Sequence, residues 1–420
     1  MKRLPTLLGS LKCVFTLVIL LLTAGSATAQ TEVTLPAPTG QHKIGRTSFH
    51  WKDSARDELE TSAPDDKREL MVHLFYPADA KATGAPAVYV PDADAMRGLW
   101  NDAQLARIIA LRTHSRENAP LPRGKARYPV ALFSPGGGLK ALTYHALLED
   151  LASHGWVVAA VDPPYNARAL RFPDGRVLGN LQPNERGWPQ PRNATENQRF
   201  YQERIAHWSR DISFVIDQLT ALDKGKGPFA KRLDWQRGVG VFGHSRGGQA
   251  AATVRILDSR VRGGINLDGM MGEFAVLPAQ AGDTAVGAQP FLWIHKPLPP
   301  PPSDEQLQRA RRTRAEYNAE IGRVMANWQR QLSAITGGAL RLTMNRPGIQ
   351  HIDFSDEPYW DGTMTEANRP GRLQTIADTR KWVRAFFDGT VRGDWTNFKR
   401  LANDKSQPEV TVHSFGKLWP

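Results

Sequence analysis

Fully buried strands appear in a sequence as short unbroken apolar runs, and buried helix faces as apolar positions three and four apart. Residues 128–134 (YPVALFS) are one such run, and 156–162 (WVVAAVD) are another. Between them a helical stretch is predicted over about 143–153, stopped by Gly155. Strand, helix, strand in that order is a βαβ unit, which predicts parallel pairing. The alternation continues. A helix over 204–222 gathers Ile205, Trp208, Ile212, Val215, Ile216 and Leu219 on one stripe. After it come a strand over 238–242, a helix over 247–257, and strands over 264–268, 290–295 and 340–344. Upstream, 69–77 reads as an early strand halted by Pro77, with the charged stretch 53–67 as a hairpin loop before it. A last helix is predicted over 373–387. The pattern is that of an α/β fold: a mostly parallel central sheet flanked by helices, occupying 42–390 between a loose segment at 30–41 and a C-terminal tail at 391–420.

Two stretches interrupt this rhythm. Residues 163–200 are rich in Pro, Arg, Asn and Gly. Residues 297–332 open with a proline run, then place Ser303 as a helix N-cap with Asp304 and Glu305 in the first turn. Beyond it an apolar stripe (Leu307, Tyr317, Ile321, Val324, Met325, Trp328, Leu332) lies opposite Arg309, Arg312 and Arg323. Both stretches follow strands that end at the carboxyl edge of the sheet. They are therefore expected as cap-like insertions over that edge, the stripe serving either as core packing or as a lid.

Composition adds an address. Lys2, Arg3 and Lys12, an apolar run from Val14 to Leu22 and the small-residue pattern Ala27-Thr28-Ala29 predict an export signal over 1–29. The only cysteine is Cys13. A chain cut after Ala29 would then have no disulfide, no cysteine nucleophile and no thiolate metal site, in the periplasm or outside the cell. The net charge is +12, and +9 without the three basic residues of 1–29. Such a balance suits solubility or an anionic membrane surface. No Lys/Arg stripe interleaved with aromatics points to nucleic acid, no phosphate-binding glycine loop opens a helix, and no H-E-x-x-H spacing points to a metal. Neither a cofactor nor an obligate protein partner is expected.

The chemistry gathers at Gly243-His244-Ser245-Arg246-Gly247. The G-x-S-x-G pattern alone is common. Here an apolar strand precedes it and an Ala-rich helix follows, which is the setting of a strained turn that presents a serine nucleophile. The hydroxyl needs a base. Of the histidines that follow, His351 comes after the last core strand in a loop, His295 ends a strand, and His413 lies in the polar tail. His351 is the expected base. Asp258, Asp268, Glu273 and Asp283 lie between serine and histidine, and Asp268 alone ends a buried strand at the carboxyl edge. Asp353 is expected to support the His351 loop. The oxyanion donors are expected to be the amide of Arg246 and that of Gly137 in Pro135-Gly136-Gly137-Gly138.

Four blocks of the chain resemble the plasma-type and intracellular type II platelet-activating-factor acetylhydrolases, near the dienelactone hydrolases. They are Arg68-Glu69-Leu70-Met71-Val72 through Phe75-Tyr76-Pro77; Phe133-Ser134-Pro135-Gly136-Gly137-Gly138 with 151–162; Gly243-His244-Ser245-Arg246-Gly247-Gly248 through Leu267-Asp268-Gly269-Met270; and His351-Ile352-Asp353-Phe354-Ser355-Asp356. The resemblance implies an α/β-hydrolase fold, a metal-free serine esterase acting on short-acyl lipid or small esters, a Ser245–Asp268–His351 triad and an oxyanion loop at Gly137. Pro135 stands where many relatives have histidine, and the stretches 163–200 and 297–332 are longer than the family pattern. A polyester or dienelactone-type hydrolase, or a catalytically silent binding scaffold, remain alternatives on the sequence.

Overall fold

The computed structural model describes residues 33–418 apart from 64, 99, 168, 180–191 and 272–286. The expected export signal, Cys13, and the acid candidates Glu273 and Asp283 lie outside the described residues. The chain runs β1 (Lys43–Asp57), β2 (Lys67–Ala78), β3 (Pro86–Val88), α1 (Asp102–Ala110), β4 (Arg112–Glu117), β5 (Tyr128–Ser134), α2 (His145–Ser153) and β6 (Val157–Asp162). A small hairpin, β7 (Ala169–Arg171) and β8 (Val177–Gly179), precedes α3 (Ala194–Lys224), β9 (Leu233–His244), α4 (Arg246–Leu257), β10 (Val261–Leu267) and β11 (Phe291–His295). Then come α5 (Asp304–Arg309), α6 (Arg314–Ser333), β12 (Ala339–Met344), α7 (Arg369–Phe387), α8 (Thr396–Asn403) and β13 (Val410–Phe415).

Among the described residues eleven strands form one sheet, in the order β13-β12-β11-β10-β9-β5-β6-β2-β1-β4-β3. The stretch from β12 to β6 is parallel, while β2 joins β6, and β13 joins β12, antiparallel. Both faces are covered, so the middle strands are apolar throughout. Successive side chains point to opposite faces. Ala131 and Phe133 of β5 and Phe242 of β9 therefore join Trp382, Phe386 and Phe387 of α7 in one core. Val130, Leu132, Val239 and Val241 join Trp208, Ile212, Ile216 and Val254 of α3 and α4 in the other.

The differences from expectation have physical causes. Residues 33–41 are packed rather than loose: Leu35 is buried, and both the amide and the hydroxyl of Thr39 donate to Asp150 Oδ1 at 2.8 Å. The charged stretch before β2 is not a simple loop. β1 continues to Asp57, and Arg68 buries itself between Glu58 (2.8 Å) and Asp211 of α3 (2.6 Å). α3 starts at 194, ten residues earlier than predicted, because the Asn193 side chain caps it by accepting from the Glu196 amide. The 297–332 helix is two helices, since Arg311 has φ +52° and Thr313 opens α6 with its own capping box. The C-terminal segment is not a tail: α8 buries Phe398 and Leu401, and β13 extends the sheet, with His413 opposite Arg341.

Candidate active site

Ser245 sits in the turn between β9 and α4 with φ +53° and ψ −117°, a conformation that costs a non-glycine residue energy. Its amide donates to Leu267 O at 2.8 Å, the last rung between β9 and β10. The flanking glycines are forced by proximity. A Cβ on Gly247 would stand 2.1 Å from Ser134 O, and one on Gly243 would stand 2.3 Å from the Gly247 carbonyl carbon. One strand along, Asp268 repeats the arrangement: its amide donates to Ile294 O at 2.7 Å, and the chain then turns with φ +51°. Two adjacent strands thus each end in a non-glycine residue at positive φ, at the carboxyl edge where open α/β sheets build their sites.

His351 opens a single helical turn, His351–Phe354, beyond β12. Its Nδ1 donates to Asp268 Oδ2 at 2.6 Å, and the Lys296 amide donates to Asp268 Oδ1 at 2.9 Å. The carboxylate is 7% exposed and the imidazole 45%. Asp353 steadies this turn: one oxygen accepts from the Gln350 amide at 2.8 Å and the other from Arg372 Nε at 2.7 Å. Asp356, whose pKa burial pushes well above the usual carboxylate range, accepts from the Ala146 amide at 3.2 Å and so ties the loop to α2.

Ser245, Asp268 and His351 line one cavity of about 730 Å³. Its walls carry Asn197, from the end of the 163–200 insertion, and Tyr201 in the early turns of α3, Trp293 of β11, Pro297 to Pro299, and Trp328 of α6. Both insertions therefore do reach the edge that holds Ser245. The stripe of α6 is mainly a core element: Trp328 and Leu332 pack with Phe291 and Trp293, and the Trp328 indole donates to Met271 O. The opposing basic side is partly neutralised, by Arg309–Glu305 and Arg312–Glu320 pairs.

The other candidates fall elsewhere or are engaged. His295 also lines the cavity, but its Nδ1 donates to Lys296 O (2.6 Å) and its Nε2 accepts from Thr343 Oγ1 (3.1 Å). Burial lowers its pKa to about 4. Asp258 caps the far end of α4, at the opposite end of the helix from the serine, and pairs with Arg260 at 2.7 Å. In the Pro135–Gly138 loop the Gly136 amide donates to Tyr144 Oη (3.1 Å) and the Gly138 amide to Asn166 Oδ1 (3.2 Å). The exposed Gly137 amide between them meets no acceptor among the described residues. The Arg246 amide is the first of α4, where N–H groups point out of the helix. The Arg246 guanidinium lies 3.2 Å from where a Gly137 Cβ would be, and 5.5 Å over the Trp208 ring.

One arrangement escaped sequence reasoning. Ser48 Oγ contacts His73 Nδ1 at 2.8 Å, and His73 Nε2 contacts Asp162 Oδ2 at 3.2 Å. It has the residue types of a triad, but Ser48 and His73 are cross-strand partners in regular β1 and β2. The second Asp162 oxygen accepts from the Ala141 amide at 2.5 Å, so the group anchors the start of the segment after β5.

A mostly parallel sheet in which a central strand, β9, turns sharply at a serine into a helix, with an Asp–His pair across the next strands, defines an α/β-hydrolase. Comparison with known proteins names the family. The model of the family described as "Platelet-activating factor acetylhydrolase, isoform II" matches residues 27–296, and the chain belongs to that family. A relative from Arthroderma benhamiae, named "Probable 1-alkyl-2-acetylglycerophosphocholine esterase", is 27% identical over 61% of this chain and 64% of its own. The "Platelet-activating factor acetylhydrolase" of Cavia porcellus is 25% identical over 48% of this chain and 50% of its own. The chain thus matches about half to two thirds of the length of these relatives. A solved structure, "Ferulic acid esterase from Streptomyces cinnamoneus", is 29% identical with a TM-score of 0.67, over 91% of this chain and 99% of that one.

Proposed function

We propose that this chain is a serine carboxylic ester hydrolase that works through an acyl-enzyme, on acetylated lipids or small esters. The observation that carries the reading is the 2.6 Å bond from His351 Nδ1 to Asp268 Oδ2 at the wall of the cavity that Ser245 also lines. A donated Nδ1 proton leaves His351 Nε2 as the acceptor for the Ser245 hydroxyl proton. Ser245 Oγ then attacks the ester carbonyl, and the developing oxyanion is held by the Gly137 and Arg246 amides, each worth about 3 kcal/mol in the transition state. The His351 imidazolium returns its proton to the leaving alcohol. Water repeats the sequence against the acyl-serine and frees the acid.

A second reading concerns the acyl group. Tyr201, Trp293 and Trp328 line the cavity, and the ferulic acid esterase resembles this chain over nearly its whole length. These favour an aromatic acyl ester. The test is one hydrolysis screen over p-nitrophenyl esters of rising chain length, an acetylated ether phospholipid and methyl ferulate, with Ser245→Ala alongside. Loss of all turnover in Ser245→Ala is the expected result, and the preferred acyl group separates the two readings. Turnover that survives Ser245→Ala would overturn both.

The same reading holds the protein to be exported, with cleavage after Ala29 and a mature chain starting at Gln30; intact mass of the exported protein tests it. The basic balance supports contact with anionic lipid, expected as vesicle binding that weakens with salt.

A further inference from the structure

His244 precedes the nucleophile, and Tyr144 lies a hundred residues earlier, just before α2; both are buried. The atoms between them fix the direction of every bond. A carbonyl oxygen only accepts, so His244 Nε2 carries a hydrogen and donates it to His351 O at 2.9 Å. Burial, and then the nearby His351, hold the His244 pKa well below its ordinary value, so its Nδ1 keeps a bare lone pair. That lone pair accepts the Tyr144 hydroxyl at 2.8 Å. The Tyr144 oxygen in turn accepts the Gly136 amide at 3.1 Å. One unbroken run therefore goes from the Gly136 amide through Tyr144 and His244 to the backbone of His351.

We propose that Tyr144 and His244 are positioning residues, which hold the loop bearing Gly137 and the loop bearing His351 at a set spacing about Ser245. The proposal rests on the Ser245–Asp268–His351 reading. Its ends are the two parts that must stay aligned: the oxyanion donors lie on one loop and the base on the other, and no strand joins them. Contact supports the bonding. A Cβ on Gly136 would stand 2.8 Å from His244 Nδ1, so the loop is seated directly on the ring. The His244 ring also lies 4.5 Å from the His351 ring and stacks at 6.1 Å on Phe354 of the same turn. A rigid imidazole thus touches both loops at once, and the tyrosine supplies the hydroxyl that completes the valence of each neighbour. Neither side chain is among the groups that line the cavity, so their effect on substrate is indirect.

The test uses Tyr144→Phe, His244→Phe and the double variant, which keep ring volume while cutting the run. Thermal melts establish folding. Steady-state kinetics on p-nitrophenyl acetate and the rate of fluorophosphonate labelling report the site. Each single variant is expected to lower kcat about tenfold to a hundredfold with KM little changed, as a displaced catalytic group does. The double variant is expected to be no worse than the poorer single, since one run is cut once. His244→Gln, whose amide can still donate to the His351 carbonyl, is expected to recover part of the loss, and it carries the test if His244→Phe is insoluble. Wild-type kcat in folded Tyr144→Phe, losses that multiply in the double variant, or a rise in KM alone would each overturn the proposal. Ser245→Ala keeps the two ideas apart. If it abolishes labelling while the ring variants are unimpaired, only the positioning role fails; if it still labels and turns over, the triad reading fails first.

Discussion

Replacing Asp268 by asparagine exchanges one oxygen for an NH2 group at nearly constant shape, and the structure dictates which oxygen changes. Oδ1 accepts from the Lys296 amide at 2.9 Å, and Oδ2 accepts from His351 Nδ1 at 2.6 Å. An amide has only one accepting atom. If its oxygen faces the Lys296 N–H, its NH2 faces His351 Nδ1, and the imidazole must move its proton to Nε2 to offer a lone pair. That tautomer cannot take the serine proton. If the amide flips, the NH2 opposes the Lys296 N–H in a site where the carboxylate is 7% exposed, and a buried bond is lost. Losing an acceptor there costs about 1–3 kcal/mol. The first orientation therefore wins, and the enzyme is held in the unproductive tautomer. The expected cost is about 10³–10⁴ in kcat, or roughly 4–5.5 kcal/mol of barrier. It is to be measured as steady-state kcat and KM on p-nitrophenyl acetate, with a thermal melt to show an intact fold. A folded Asp268→Asn enzyme within tenfold of wild type would refute the reasoning. Attention would then move to Glu273 and Asp283, in the segment outside the described residues.

Other outcomes follow from the same contacts. Ser245→Gly and Ser245→Ala both remove the proposed nucleophile, but only glycine relaxes φ +53°, so Ser245→Gly is expected to be the more stable by about 1 kcal/mol in urea unfolding; equal midpoints would show that the elbow stores no strain. Gly247→Ala pushes a methyl group to 2.1 Å from Ser134 O and is expected to destabilise by about 1–3 kcal/mol or more and to abolish turnover; a fully active, stable variant would contradict the packing described for the motif. Acid should weaken the fold through buried neutral histidines. Burial lowers the pKa of His207 to about 3 and of His295 to about 4, against about 6.5 unfolded. The unfolded chain binds protons that the folded chain refuses, so their contribution is whole above about pH 6.5 and is lost as pH falls toward the folded values. Between pH 6.5 and 5 the two together lose about 3 kcal/mol. Melts of His207→Leu at pH 5 and 7 check this: the variant should show a flatter acid slope, and an unchanged slope would count against it.

Much of this molecule was legible because its signals are local. An unbroken run such as Val157 to Asp162 is a strand buried on both faces whatever lies around it, and Gly155 can stop a helix through its own φ of +84°. The elbow at Ser245 is equally local, because the strand, the serine, the two close-packed glycines and the helix lie within about twenty consecutive residues. Chain order and strand ends were enough to nominate Asp268 and His351, but not to show that they meet. They are 83 residues apart, and their bond exists because β10, β11 and β12 lie side by side in that order. Non-local packing also engages His295, whose Nε2 accepts from Thr343 of the neighbouring strand. It makes a strand of Val410–Phe415, which carries little of the apolar signal because an edge strand pairs on one side only and its residues are mostly half-exposed or exposed. The run from Gly136 through Tyr144 and His244 to His351 is the extreme case. No spacing announces it, since each bond joins groups that only the folded sheet edge brings within 3.1 Å.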